Sequence, residues 1–96
     1  MNVTETEVFS DWLSGLRDVV GRRAIVKRIV RLQTTDNFGD WAPIDGNLRE
    51  MRVHVGPGYR VYFVEKDGAI LLCGGDKGTQ VRDIEKAKKL AEEFGG

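Results

Sequence analysis

The apolar residues of this chain change period once, from helical spacing to alternation, and then change back. Val8, Phe9, Trp12, Leu13 and Leu16 recur at helical spacing and predict a short amphipathic helix over 7–17. Gly21 interrupts the pattern. Ala24, Ile25, Ile29 and Leu32 then mark one stripe of a second helix, widened by Val26 and Val30, with arginines and a lysine on the remaining face. Residues 33–47 carry Asp36-Asn37, Gly39-Asp40, Pro43 and Asp45-Gly46, and read as a loop. Residues 48–55 and 59–64 alternate around Gly56-Pro57-Gly58, as the arms of a β-hairpin do. After the turn Lys66-Asp67-Gly68, residues 69–73 form a buried third strand that Gly74-Gly75 ends. Val81, Ile84, Ala87, Leu90 and Ala91 return to helical spacing up to about Phe94. Residues 1–6 are candidates for a fourth strand at the sheet edge. The expected fold is α+β: a small antiparallel sheet of three to four strands, two N-terminal helices and a C-terminal helix, the helices on one face of the sheet.

A chain of 96 residues, 41% apolar and 31% charged, suits one folded domain over 1–96. Its longest apolar runs, such as Ala69-Ile70-Leu71-Leu72-Cys73, are far short of the roughly 20 residues a membrane helix needs. The start, Met1-Asn2-Val3-Thr4-Glu5, lacks the basic-then-apolar order of a signal peptide. Cys73 is the only cysteine, which excludes an internal disulfide and a multi-cysteine metal site, and a cytoplasmic setting is the expectation. His54 is the only histidine and the acids are scattered, so no metal and no other cofactor is expected. Ser10 and Ser14 lie on the first helix in no strained turn and do not suit a Ser–His–Asp triad. Gly74-Gly75-Asp76-Lys77-Gly78-Thr79 lacks the spacing of a phosphate-binding loop.

The net charge is zero, but its distribution is uneven. Residues 17–31 sum to +5 and residues 49–64 to +2, so a polyanion can be attracted locally. With a three-residue loop at 56–58, Val53 pairs with Val61 and Met51 with Phe63 on one face, and His54 pairs with Arg60 and Arg52 with Tyr62 on the other. A two-residue loop would set Arg52 against Phe63 and mix the faces. The polar face so formed is an open, guanidinium-bearing surface suited to phosphate. Lys77, just past the third strand, lies within reach of it. Tyr62, His54 and Arg49 are candidate RNA contacts, Tyr62 as a stacking surface for a base. Cys73, inside an apolar run, belongs to the core.

Several short motifs follow one another in a familiar order. They are Asn37-Phe38-Gly39-Asp40, Pro43, Glu50-Met51-Arg52, Gly56-Pro57-Gly58-Tyr59-Arg60-Val61-Tyr62-Phe63, Leu71-Leu72-Cys73-Gly74-Gly75-Asp76-Lys77, Thr79-Gln80, Asp83-Ile84 and Ala87. In this order and spacing, over about residues 8–94, the chain resembles the RelE/ParE toxin superfamily, most closely its HigB-like, addiction module killer branch. The resemblance implies the toxin of a type II toxin–antitoxin pair that cleaves mRNA in the ribosomal A site. It also implies a cognate antitoxin, a small helix-turn-helix protein like HigA, as partner beside the ribosome and mRNA. The family's basic active-site positions carry over as Arg52, Arg60 and Lys77. Arginines there would stabilise the charge built on a phosphate attacked by the neighbouring 2′-OH. The chain departs from the family in Trp41-Ala42 where a lysine is common, in Met51 where leucine is usual, and in its neutral charge. Two other functions fit the same fold: a ParE-type toxin that binds DNA gyrase without catalysis, and a degenerate toxin that acts as a binding module.

Overall fold

The computed structural model describes residues 1–95. Its first strand, β1 (Val3–Glu5), leads through Thr6 into helix α1 (Glu7–Ser14). The Thr6 hydroxyl caps the helix by accepting from the Phe9 N–H at 3.1 Å and donates to the Leu72 carbonyl at 2.6 Å. One buried side chain thus sets both where α1 starts and where it sits on the sheet. The helix stops at Gly15, whose N–H returns to the Asp11 carbonyl at 3.0 Å, three residues short of the sequence expectation. Helix α2 (Val19–Thr35) follows, capped by Asp18, which accepts from the Gly21 N–H at 3.0 Å. Gly21 therefore lies in the first turn of α2 instead of before it. The ring of Tyr59 crosses so close that a Cβ at Gly21 would collide with it.

The rest of the chain supplies four strands and the last helix: β2 (Trp41–Asp45), β3 (Leu48–Val53), β4 (Tyr59–Glu65), β5 (Ala69–Asp76), a 3-10 turn at Lys77–Thr79, and α3 (Gln80–Phe94). The strand order is β1-β5-β4-β3-β2, with β1 parallel to β5 and the other pairs antiparallel. The fold is α+β, but the sheet has five strands and is mixed, not three to four and antiparallel. The additional strand β2 falls where a loop was expected. Turn-forming residues flank it, and its Pro43 is tolerated because β2 is an edge strand. Arg28 fastens the segment before it, donating to the carbonyls of Arg52 at 2.6 Å, Phe38 at 2.8 Å and Asp40 at 3.3 Å.

The hairpin differs in register from the sequence reading. Arg52 faces Arg60, Val53 faces Tyr59, Met51 faces Val61 and Glu50 faces Tyr62. The turn spans 54–58, closed by Gly56 and Gly58 at φ +57° and +82°, a left-handed conformation that glycine adopts without strain. The slip is two residues, so every side chain keeps its face even though its partner changes.

Between Tyr62 and Phe63 the β4–β5 register shifts, leaving Leu72 as an extra residue in β5. Nor does β5 end at Gly74-Gly75. Trp12 presses on Gly74 from one side, and Asp83 and Thr79 on Gly75 from the other, so close that neither position has room for a Cβ.

Helices cover both faces of the sheet, not one. Phe9, Ile25, Ile29 and Leu32 of α1 and α2 pack on Met51, Val61, Phe63 and Leu71. On the opposite side, Ile84, Ala87, Leu90 and Ala91 of α3 cover Leu48, Tyr62, Val64, Leu72 and Cys73. The bulge at Leu72 explains the second layer, because it adds apolar surface to that face, which then needs its own cover. No helix among the described residues is long and apolar enough to cross a membrane.

Candidate functional site

The face under α3 is apolar at one end and charged at the other. Row by row across β3, β4 and β5, Leu48 gives way to Glu50–Tyr62–Cys73 and then to Arg52–Arg60–Gly75. Glu50 is buried, and its carboxylate lies between two guanidinium groups. Oε2 accepts from Arg60 at 2.7 Å, and Oε1 lies 3.8 Å from Arg52. Gln80, the first residue of α3, donates to Oε1 at 3.4 Å. Like charges directly opposite on a ladder repel, and the Arg52–Arg60 pair stands here because Glu50 is shared between them. One carboxylate against two guanidinium groups leaves one positive charge in the cluster. The side chains are unequally accessible: Arg52 is 37% exposed and Arg60 only 15%. The Nε–H of each arginine finds no acceptor among the described residues.

The residues expected to form the site divide into those brought together and those set apart. Arg52 and Arg60 converge. Lys77 stands two residues beyond Gly75, the cross-strand partner of Arg60, at the same end of the sheet. It is exposed, and its backbone N–H donates to the Gly58 carbonyl at 2.8 Å. His54 does not pair with Arg60. It lies past the end of β3, its side chain is 71% exposed, and it pairs with Asp40. That hydrogen bond holds the Asp40 carboxyl below the usual carboxylate range, and the charges of His54, Arg52 and Arg28 act in the same direction.

Two expected RNA contacts are elsewhere. Tyr62 is fully buried beneath α3 and offers no surface to a base. Its hydroxyl finds no partner among the described residues, and burial, followed by the charges of Glu50 and Asp83, pushes its pKa far above the ordinary phenol value. Arg49 has odd parity and so projects to the α1/α2 face, its guanidinium 4.9 Å from the Trp41 ring and 2.5 Å from the Glu65 carboxylate. The open polar face inferred from the hairpin is therefore half covered, because α3 crosses it.

Glu50, Gln80 and Asp83 are parts of the site that sequence reasoning did not assign. Glu50 shares the parity of Arg52 and Arg60, a signal present in the alternation itself. Asp83 is buried against Gly75 and accepts from the Thr79 hydroxyl, which fixes the first turn of α3 over the sheet.

No family model matches the chain. It is 44% identical over 97 residues, covering 99% of this chain and 97% of the relative, to an uncharacterized protein of Haemophilus influenzae. The chain belongs to the family of that Haemophilus protein. Within this family the similarity runs the whole length of the domain, so the matched stretch takes in both arginine-bearing strands and α3.

Proposed function

We propose that the protein is the toxin of a type II toxin–antitoxin pair, a HigB-like member of the RelE/ParE superfamily. In this reading it acts in the cytoplasm as a metal-independent, ribosome-dependent mRNA endoribonuclease, neutralised by a small helix-turn-helix antitoxin. The motif order from Asn37 to Ala87 supports it. So does the arrangement of two N-terminal helices, consecutive antiparallel strands and a C-terminal helix, to which β1 adds a fifth, parallel strand.

The observation that carries the reading is the cross-strand pair Arg52–Arg60 with its single shared carboxylate. In the proposed reaction the ribose 2′-OH gives up its proton to solvent water as it attacks the adjacent phosphorus, and the bond to the 5′-oxygen breaks. The products are a 2′,3′-cyclic phosphate and a free 5′-OH. Negative charge grows on the phosphoryl oxygens, and guanidinium groups held on strands stabilise it without rearranging. Arg52 meets the phosphate first, because it is the more exposed and its link to Glu50 is the looser at 3.8 Å. Arg60, locked to Glu50 at 2.7 Å, holds the carboxylate while that exchange occurs. Lys77 supplies the proton to the departing 5′-oxygen, and the ribosome orients the message, a contribution of several kcal/mol by positioning alone.

Induced expression in a bacterial host, wild type beside Arg52→Ala and Lys77→Ala, tests the reading. Primer extension on a translated transcript should show cuts that require translation and vanish in Arg52→Ala. Arg52 is the residue to change, since removing Arg60 would also leave Glu50 without its closest partner. Growth arrest with intact mRNA and cleaved DNA would assign gyrase as the target instead, and no arrest would remove the toxin reading.

A further inference from the structure

Helix α2 carries a second apolar stripe that the described residues leave nearly half exposed. Counting about 100° per residue, Val19, Val26 and Val30 fall within about 40° of one another and about a third of a turn from the core stripe of Ile25, Ile29 and Leu32. These three valines are 45%, 43% and 47% exposed. Beside them a groove of about 530 Å³ opens between the end of α1 and α2, lined by Leu13, Ser14, Arg22, Arg23, Val26 and Lys27. Its floor is apolar and its rim is basic. No acid occurs anywhere in α2, and among the described residues Arg23, Lys27 and Arg31 form no ion pair.

The dimensions select the occupant. From Val19 to Val30 the stripe runs about 16 Å at 1.5 Å per residue, too long for a small ligand and matched by about three turns of helix. An apolar line flanked by cations along one side is complementary to an amphipathic helix with apolar residues on one face and carboxylates beside them. We propose that this face of α2, together with Leu13, docks an acidic amphipathic helix of a protein partner. The surface lies across the sheet from Arg52 and Arg60, so the docked helix leaves the arginine cluster open. The proposal rests on this surface alone and stands apart from the nuclease reading.

The test is fluorescence anisotropy with a labelled synthetic helical peptide bearing leucines on one face and glutamates beside them. The control is the same peptide with lysine for glutamate. The glutamate peptide should bind saturably, weaken with added salt, and lose at least about tenfold in affinity with either Val26→Ser/Val30→Ser or Arg23→Gln/Lys27→Gln. The lysine peptide should not bind. These residues are exposed, so the variants should melt like the wild type. Absence of saturable binding, equal binding of the lysine peptide, or indifference to the valine changes would overturn the proposal. Sedimentation and RNA binding supply two further refutations. A wild-type dimer that Val26→Ser/Val30→Ser dissociates would make a second copy of the chain the occupant. A single-stranded RNA that loses affinity with the Arg23/Lys27 variant but not the valine variant would make the face an RNA surface.

Discussion

Replacing Glu50 with alanine is the sharpest probe of the arginine cluster. The substitution deletes a buried carboxylate and leaves Arg60, 15% exposed, without its 2.7 Å partner. Breaking a buried ion pair by removing one member costs about 3–5 kcal/mol. Here the cost is smaller, because Arg52 is 37% exposed and recovers water when released. A loss of about 2–3 kcal/mol follows, the lower part of that range or just beneath it. For a chain of this length each kcal/mol moves Tm by about 4–8 °C, so the midpoint should fall by roughly 8–24 °C. Urea unfolding of Glu50→Ala, Arg60→Met and the double variant would give the coupling directly. Because the residues touch, the double variant should be less damaged than the sum of the singles by about 1–3 kcal/mol. If Glu50→Ala costs less than about 0.5 kcal/mol, the range of ordinary surface changes, or if the two substitutions add independently, Glu50 is not the shared anchor described here.

Three other perturbations have definite signs. Tyr62→Phe removes a buried hydroxyl with no partner among the described residues and should stabilise the fold by about 1 kcal/mol; a loss in urea unfolding would refute the burial of an unpaired group. Gly75→Ala drives a Cβ into the Asp83 carboxylate and the Thr79 hydroxyl and should cost about 1–3 kcal/mol, with faster amide exchange in the first turn of α3; wild-type exchange there would contradict the packing. The Tyr59 hydroxyl donates to Asp18 at 2.7 Å, and that bond, followed by burial, pushes the phenol up to about 12. Its protonated form is the one the fold favours, so its contribution is complete below about pH 10, the free phenol value, and is lost as pH rises towards 12. The same contacts lower the Asp18 carboxyl, led by the Gly21 N–H and then Tyr59, so its contribution is present above the ordinary carboxylate range and lost on acidification. Tyr59→Phe should therefore make the alkaline loss of stability shallower while Tyr62 and Cys73, shifted in the same direction, preserve the remainder; an unchanged alkaline limb would refute the assignment.

Which parts of this molecule could be read from the sequence follows from what each signal encodes. Alternation carries parity, so the separation of Arg52 and Arg60 from Met51, Val53 and Val61 was legible, and it survived a two-residue error in register. The register itself depends on turn length, and two glycines in left-handed conformations allow a five-residue turn where Gly-Pro-Gly alone suggests three. β2 was hidden because edge strands tolerate the proline and aspartates that punctuate loops, and because its support comes from Arg28, distant in sequence. The second apolar layer was hidden by the bulge at Leu72: one unpaired residue turns both Leu72 and Cys73 toward α3, which no fixed period describes. Tyr62 was misjudged for that reason, being polar in composition but covered in the fold. Arg49 was also misassigned as an RNA contact, although its odd parity, shared with Met51 and Val53, already set it on the other face.

The most direct measurement is cleavage of a message on purified ribosomes in magnesium buffer, with the codon of interest in the A site, by wild type and Arg52→Ala. The wild-type protein should cut and leave a 2′,3′-cyclic phosphate. Arg52→Ala should be slower by about 10²–10³, the loss typical of removing one donor to a developing oxyanion. Message left whole by the wild-type protein, or cut equally well without Arg52, would contradict the assignment of this face as a ribonuclease site.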